Sequence, residues 1–193
     1  MRGTRPLLAT SFATCCPSAS ASWVPTTPTT LTTRHELAHW TGRAGDAAAA
    51  RDQLRDLLPI HERVQGSEHP DTLTTRHTLA HWTGRAGDAV AARDQFRELL
   101  PIRQRVLGPE HPDTLAARHT LARWTGDAGD PVGARDQFHE LLPIRQRVQG
   151  PEHPDTLTVR HDLAWWTGEA GDAGRCPRPA SRPAARPRAG PGP

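Results

Sequence analysis

Residues 35–39 read His-Glu-Leu-Ala-His, two imidazoles four residues apart with a carboxylate between them. On a helix, His35 and His39 would share a face and could hold a zinc ion while Glu36 activated a metal-bound water for hydrolysis. The chain supplies its own control. The same five positions recur at 77–81 as His-Thr-Leu-Ala-His, at 119–123 as His-Thr-Leu-Ala-Arg and at 161–165 as His-Asp-Leu-Ala-Trp. The glutamate occurs once, and the second histidine gives way to Arg123 and Trp165. The Leu-Ala pair persists through all four copies, as packing residues would. The expectation is therefore a protein without catalysis, metal or cofactor, and a zinc-dependent hydrolase built on His35, Glu36 and His39 is the alternative. Other chemistries lack their residues. Lysine is absent, so no glycine-rich phosphate loop with lysine exists, and Ser67 is the one serine in the repeated body.

The repeat that exposes the accident runs further. Trp40, Trp82, Trp124 and Trp166 stand 42 residues apart, and Gly66, Gly108 and Gly150 keep the same step. A period between about 20 and 50 residues marks a repeat architecture, in which each unit buries its apolar face against its neighbours. Such a molecule works as a surface.

Composition narrows the partners. The overall charge of +3 is misleading, because residues 1–29 carry two arginines, residues 173–193 carry five, and neither end holds an acid. The repeated body keeps 17 of the 24 arginines and all 21 acids, a net of −4. Mixed charge of that kind argues against a phosphate-tracking groove, so nucleic acid is not the expected partner. Cys15, Cys16 and Cys176 lie outside the body and imply neither a disulfide framework nor a metal site. No apolar run approaches the roughly 18–20 residues of a membrane span. Arg2 and Arg5 followed by Leu7–Cys16 and Ala19-Ser20-Ala21 loosely imitate a signal peptide, but the stretch is short and interrupted by Thr and Ser. The expected compartment is the cytoplasm.

Each unit reads as two helices. In the second, Asp71 or Thr72 is expected to cap the first helix after Pro70, with Leu73, Leu79, Ala80 and Trp82 on its apolar face up to Gly84. The run 83–88 reads as a turn, Gly84 stopping the first helix and Asp88 capping the next. Ala89, Ala92, Phe96, Leu99 and Leu100 then follow the i, i+3, i+4, i+7 spacing of one buried face. Pro59, Pro101 and Pro143 fall inside the second helices, where Ile102 and Val106 continue the apolar pattern beyond the proline. A bend in a continuous helix is expected there rather than an end.

A helix pair with small residues at the crossing resembles the tetratricopeptide repeat. The resemblance rests on Leu79-Ala80, Ala92 and Phe96, repeated as Leu121-Ala122, Ala134 and Phe138, and as Leu37-Ala38, Ala50 and Leu54. The 42-residue length and the junction Leu-Gly-Pro-Glu-His-Pro-Asp-Thr resemble the kinesin-light-chain-like variety, with wording like that of repeats in GC-rich actinobacteria. The chain departs from the family in placing Trp82 and Thr83 where an aromatic is expected one position later. A Trp-Asp propeller blade would need strands, whereas a HEAT-type helix pair is the serious competitor. The resemblance implies an all-α, right-handed solenoid with repeats at 30–71, 72–113 and 114–155 and the first helix of a fourth at 156–172. It implies a protein or peptide partner, held in a concave groove lined by Thr32, His35, His39, Thr74, His77, His81, His119, Arg123, His161 and Trp165. The histidines stacked in such a groove could attract zinc or nickel, but an i, i+4 pair supplies only two ligands.

The ends keep the register and lose the wording. Cys15-Cys16-Pro17 sits 42 residues before Leu57-Leu58-Pro59, and CTG CTG CCC read one base later gives Cys-Cys-Pro. Ser22-Trp23-Val24-Pro25 sits two periods before Val106-Leu107-Gly108-Pro109 and is its reading in the same shifted frame, while Pro183-Ala184-Ala185 fits the remaining frame of Leu141-Leu142-Pro143. Residues 1–29 and 173–193 are accordingly expected to be disordered, out-of-frame readings of further repeats, and the nucleotide sequence of the locus tests this. The array would then be part of a larger regulatory protein, or a decayed fragment of one. Elemental analysis separates scaffold from hydrolase: the purified protein is expected to carry no stoichiometric zinc, whereas stoichiometric zinc lost on His39→Ala would favour the enzyme.

Overall fold

The computed structural model describes residues 27–172, so the expectations for both ends fall outside it except at residues 27–29. Seven α-helices follow one another, with no strand among the described residues: α1 (Pro28–Arg43), α2 (Ala47–Gln65), α3 (Pro70–Arg85), α4 (Ala89–Val106), α5 (Pro112–Asp127), α6 (Pro131–Gln149) and α7 (Pro154–Asp172). Each helix packs on its neighbours in the chain, and the odd helices also touch in series, α1 on α3, α3 on α5 and α5 on α7. The result is the expected all-α solenoid of three helix pairs and a seventh helix.

The helix starts follow from proline and a short polar cap. Pro70 and Pro112 occupy the first turns of α3 and α5, where a missing N–H costs nothing. The residue before proline is held in extended geometry, which suits a cap. The caps are therefore His69 and His111 rather than Asp71 or Thr72 and their counterparts. The imidazole Nδ1 of each accepts the backbone N–H two residues on at 3.2 Å, and His153 does the same for Asp155. The even helices are capped by aspartate as expected. Asp46, Asp88 and Asp130 accept from the backbone N–H of Ala49, Ala91 and Gly133 at 2.8–2.9 Å.

Gly84 does not stop α3. The helix runs past it to Arg85, and the left-handed residue that turns the chain is Gly87, with φ +108°. Gly84 is buried and has a different task. A Cβ built on it would lie 2.5 Å from the indole of Trp124, and Gly42 and Gly126 stand in the same relation to Trp82 and Trp166. The tryptophan of each unit lies flat against a glycine of the unit before.

The core accordingly forms three clusters, each closed from outside its own unit. Leu31, Ala38, Ala50, Leu54 and Leu57 enclose Trp82, and Leu73, Ala80, Ala92, Phe96 and Leu99 enclose Trp124. Leu115, Ala122, Ala134, Phe138 and Leu141 enclose Trp166. The alanine pairs are fully buried where the two helices cross. The helices α2, α4 and α6 continue through Pro59, Pro101 and Pro143 instead of ending. All three prolines face solvent, the side on which helical hydrogen bonds are most easily given up to water.

The junctions carry a polar device that the sequence reading passed over. Arg103 is buried, and its guanidinium donates to the carbonyl oxygens of Asp113 at 2.7 Å and Leu73 at 3.1 Å. Arg145, one period on, donates to the Asp155 carboxylate at 2.7 Å.

Substitution of the seat glycine tests the packing. Gly84→Ala is expected to destabilise the fold by about 1–3 kcal/mol, because the added methyl must displace a buried ring. Gly168→Ala meets open space and is expected to be neutral or stabilising by up to about 1 kcal/mol through helix propensity. Urea unfolding of the two variants beside the wild type checks both.

Candidate functional site

The ten residues expected in the groove all lie on the odd helices, in rows set by the 42-residue step. They do not share one environment. Thr32 and Thr74 are exposed at the start of α1 and α3, and the Thr74 hydroxyl donates to the Pro70 carbonyl at 2.9 Å.

The next row turns into the seams between helices. His35 bridges α1 and α3, its Nδ1 3.3 Å from the Thr75 hydroxyl and its Nε2 3.4 Å from that of Thr78. His77 packs edge-on to Phe96 with ring centroids 4.9 Å apart, and its Nδ1 is buried without a hydrogen-bond partner among the described residues. His119 meets Phe138 in the same way at 5.3 Å, and its Nε2 reaches the Asp162 carboxylate of α7 at 3.1 Å. The fourth member, His161, is exposed, with Nδ1 3.2 Å from Asp162.

The row one turn later is the more accessible one. His39 stands edge-on between Trp40 and Trp82, with both centroid distances 5.9 Å, and His81 stands between Trp82 at 5.2 Å and Trp124 at 6.1 Å. Arg123 and Trp165 continue this row and are exposed. Between the ends of α1 and α3 lies a cleft of about 370 Å³ lined by His39, Gly42, Arg43, Gly45, His81, Trp82 and Arg85. Arg43 and Arg85 were missed in the sequence reading. Their signal was present, since each lies four residues after His39 or His81 and so on the same helix face.

Burial fixes the charge state of this surface. It lowers His77 from the usual 6.5 to about 3, with the nearby Arg103 and His81 acting in the same direction. It lowers His81 to about 4, helped by Arg85, Arg123 and His39. His35 and His119 are also lowered, first by burial, with Glu36 and Asp162 respectively pulling the other way. At neutral pH these imidazoles offer a donor and an acceptor but no charge. The positive charge of the cleft comes from Arg43 and Arg85. Farther along, the same register holds Asp127 and Glu169, so the charge reverses between the two ends of the face. Burial raises the Asp127 carboxyl, against the pull of Arg123 and Arg85.

The His-Glu-Leu-Ala-His segment is spent on this packing. Glu36 is exposed, His35 faces the threonines of α3 and His39 faces two indoles. Among the described residues, no three His, Cys, Asp or Glu side chains converge as metal ligands would. No described helix is long and apolar enough to cross a membrane.

A tetratricopeptide-repeat profile matches residues 29–105 and 84–140, which together span more than half of the chain. The chain belongs to the tetratricopeptide repeat family. Its solved structural relatives include repeat arrays described as kinesin light chain. TPR-like, nearly identical repeats of a Podosopora anserina protein described as a kinesin light chain align with a TM-score of 0.66 at 27% identity, over 80% of this chain and 73% of theirs. A variant of the same repeats aligns with a TM-score of 0.68 over the same shares. BtubC (BKLC) from P. vanneervenii aligns with a TM-score of 0.66 at 20% identity, over 84% of this chain and 71% of its own, and shows the common fold. A search of curated proteins found no match. The tetratricopeptide repeat is in general a fold of protein–protein interaction, and its members are typically scaffolds without catalysis of their own.

The depressed histidines set a pH dependence. A histidine lowered by folding binds its proton more readily in the unfolded chain. Stability from His77 and His81 is therefore fully present above the unfolded value near 6.5 and is lost as pH falls toward about 4 and then about 3. The urea midpoint of the wild type is expected to drop between pH 7 and pH 5, above the range where most carboxylates titrate. His77→Leu is expected to flatten that drop.

Proposed function

We propose that this tetratricopeptide-repeat chain is a non-catalytic, cytoplasmic interaction module that holds an extended peptide or a helix along the face of its odd helices. The observation that carries the reading is the cleft between α1 and α3. It is an open cavity with an indole in its wall, two imidazoles and two arginines. An aromatic surface with a few convergent polar groups is the composition of a peptide site. The arginines favour an acidic segment at this end, and Asp127 and Glu169 disfavour one at the other, which would fix the direction in which a peptide lies. Arg123 and Trp165 extend the surface beyond the cleft, whereas His77 and His119 contribute edges of rings that already pack on Phe96 and Phe138.

Selection from a random peptide library displayed on phage tests the proposal. Enriched peptides are expected to carry acidic residues and to quench tryptophan fluorescence on binding. His81→Ala and Arg85→Ala are each expected to weaken them about tenfold, as alanine changes at the centre of an interface do. Arg97→Ala, at an exposed position of α4, is the control expected to leave binding unchanged. Peptides indifferent to His81 and Arg85 would sink the assignment.

A further inference from the structure

Trp40 and Gly168 are the unmatched halves of a contact that the array makes three times. Trp82, Trp124 and Trp166 each cover a glycine of the preceding unit and are 5%, 9% and 9% exposed. Trp40 has the same register and is 60% exposed. Gly168 has the register of Gly42, Gly84 and Gly126, yet nothing among the described residues lies within 4 Å of a Cβ built on it. Among the described residues, one end of the array therefore presents an indole without a glycine, and the other a glycine without an indole.

The surroundings are complementary as well. Beside Trp40, Thr33 and Leu37 are exposed, whereas their counterparts Thr75, Ala117 and Val159 are fully buried and Leu79, Leu121 and Leu163 half-buried. On α7, Leu157 and Ala164 are exposed, whereas Leu73, Leu115, Ala80 and Ala122 are fully buried. Both open faces are apolar surfaces that the interior units cover. Charge decides how they pair. Arg43 follows the indole on α1 and Glu169 follows the glycine on α7, so bringing the two ends together sets opposite charges side by side. Bringing two α1 ends together would oppose Arg43 to Arg43.

We propose that the chain associates head to tail with a second copy of itself, Trp40 of one copy seating on Gly168 of the next. The indole–glycine contact itself joins two odd helices, so that part of the internal packing can be repeated between copies, although the even helix that also encloses the internal indoles (Ala50, Leu54 and Leu57 of α2 around Trp82) has no counterpart after α7 among the described residues. The interface uses different surfaces on the two copies and does not close on a dimer, so growth continues with concentration. This association shares Arg43 with the cleft, but its test does not depend on peptide binding.

Sedimentation velocity of the full chain under reductant, across a concentration series, tests the proposal. The reductant removes any cross-linking through Cys15, Cys16 or Cys176. The wild type is expected to grow past the dimer. Trp40→Ala and Gly168→Leu are each expected to weaken association at least about tenfold, as loss of a central aromatic anchor does. Trp40 is largely exposed and Gly168 meets open space, so circular dichroism is expected to keep the wild-type helical signal in both variants. The decisive sample is the equimolar mixture. Trp40→Ala keeps the seat and Gly168→Leu keeps the indole, so together they are expected to form a dimer that grows no further. A wild type that stays monomeric, a Gly168→Leu protein that associates as the wild type does, or a mixture that stays monomeric would each overturn the proposal.

Discussion

The seating of an indole on a glycine of the preceding unit is the contact on which the rest of the array depends. Each helix pair brings two alanines together at its crossing and lines the space beside them with Leu, Phe or Ile, but that space is closed by Trp82, Trp124 or Trp166 from the next unit. Burying a large aromatic side chain stabilises by about 1.5–3 kcal/mol, a large share of what one unit of this size can muster. The stability of each pair is therefore not its own. It is held jointly with its neighbour, and the flat approach of the ring requires that the glycine have no side chain. Any other residue at Gly42, Gly84 or Gly126 would hold the units apart.

A second device works at the opposite end of the junction. Arg103 and Arg145 place a charge in the seam between units, where desolvation is expensive unless every hydrogen bond is met. Arg103 meets part of that demand with carbonyl oxygens of α3 and α5, so the guanidinium is bound to two successive units at once. Arg145 uses the Asp155 carboxylate instead. At the corresponding place in the first unit, His61 works through Gln65, which in turn reaches Asp71. The indole supplies most of the attraction between units, and the buried cation demands one geometry of them.

The fold was legible because its signals are local or periodic. The 42-residue step, the alanines at the crossings and the aspartate caps are each readable within one unit. What was misread depended on groups far away in sequence. Gly84 and Gly87 both sit in the apparent turn, and both have the form of a helix stop. Which of them turns the chain and which receives a ring is decided by Trp124, some 40 residues further on. The site shows the same division. The row His39, His81, Arg123 and Trp165 was implied by the resemblance to the tetratricopeptide repeat, and helical spacing from His39 and His81 would have added Arg43 and Arg85. The inward turn of His77 and His119 could not, since it depends on where α4 and α6 place Phe96 and Phe138.

The internal copies also explain why a motif with the letters of a zinc site need not be one. His35 and His39 keep the spacing of metal ligands because helical geometry favours the same spacing for packing. The first imidazole bridges successive odd helices, and the second stands against the indole that closes the core. That second contact links structure to recognition. Trp82 forms part of the core of the first unit and part of the wall of the cleft between α1 and α3. A ligand in that cleft would press on the ring that holds two units together. Binding there and rigidity between units would then be one quantity, shared through a single side chain.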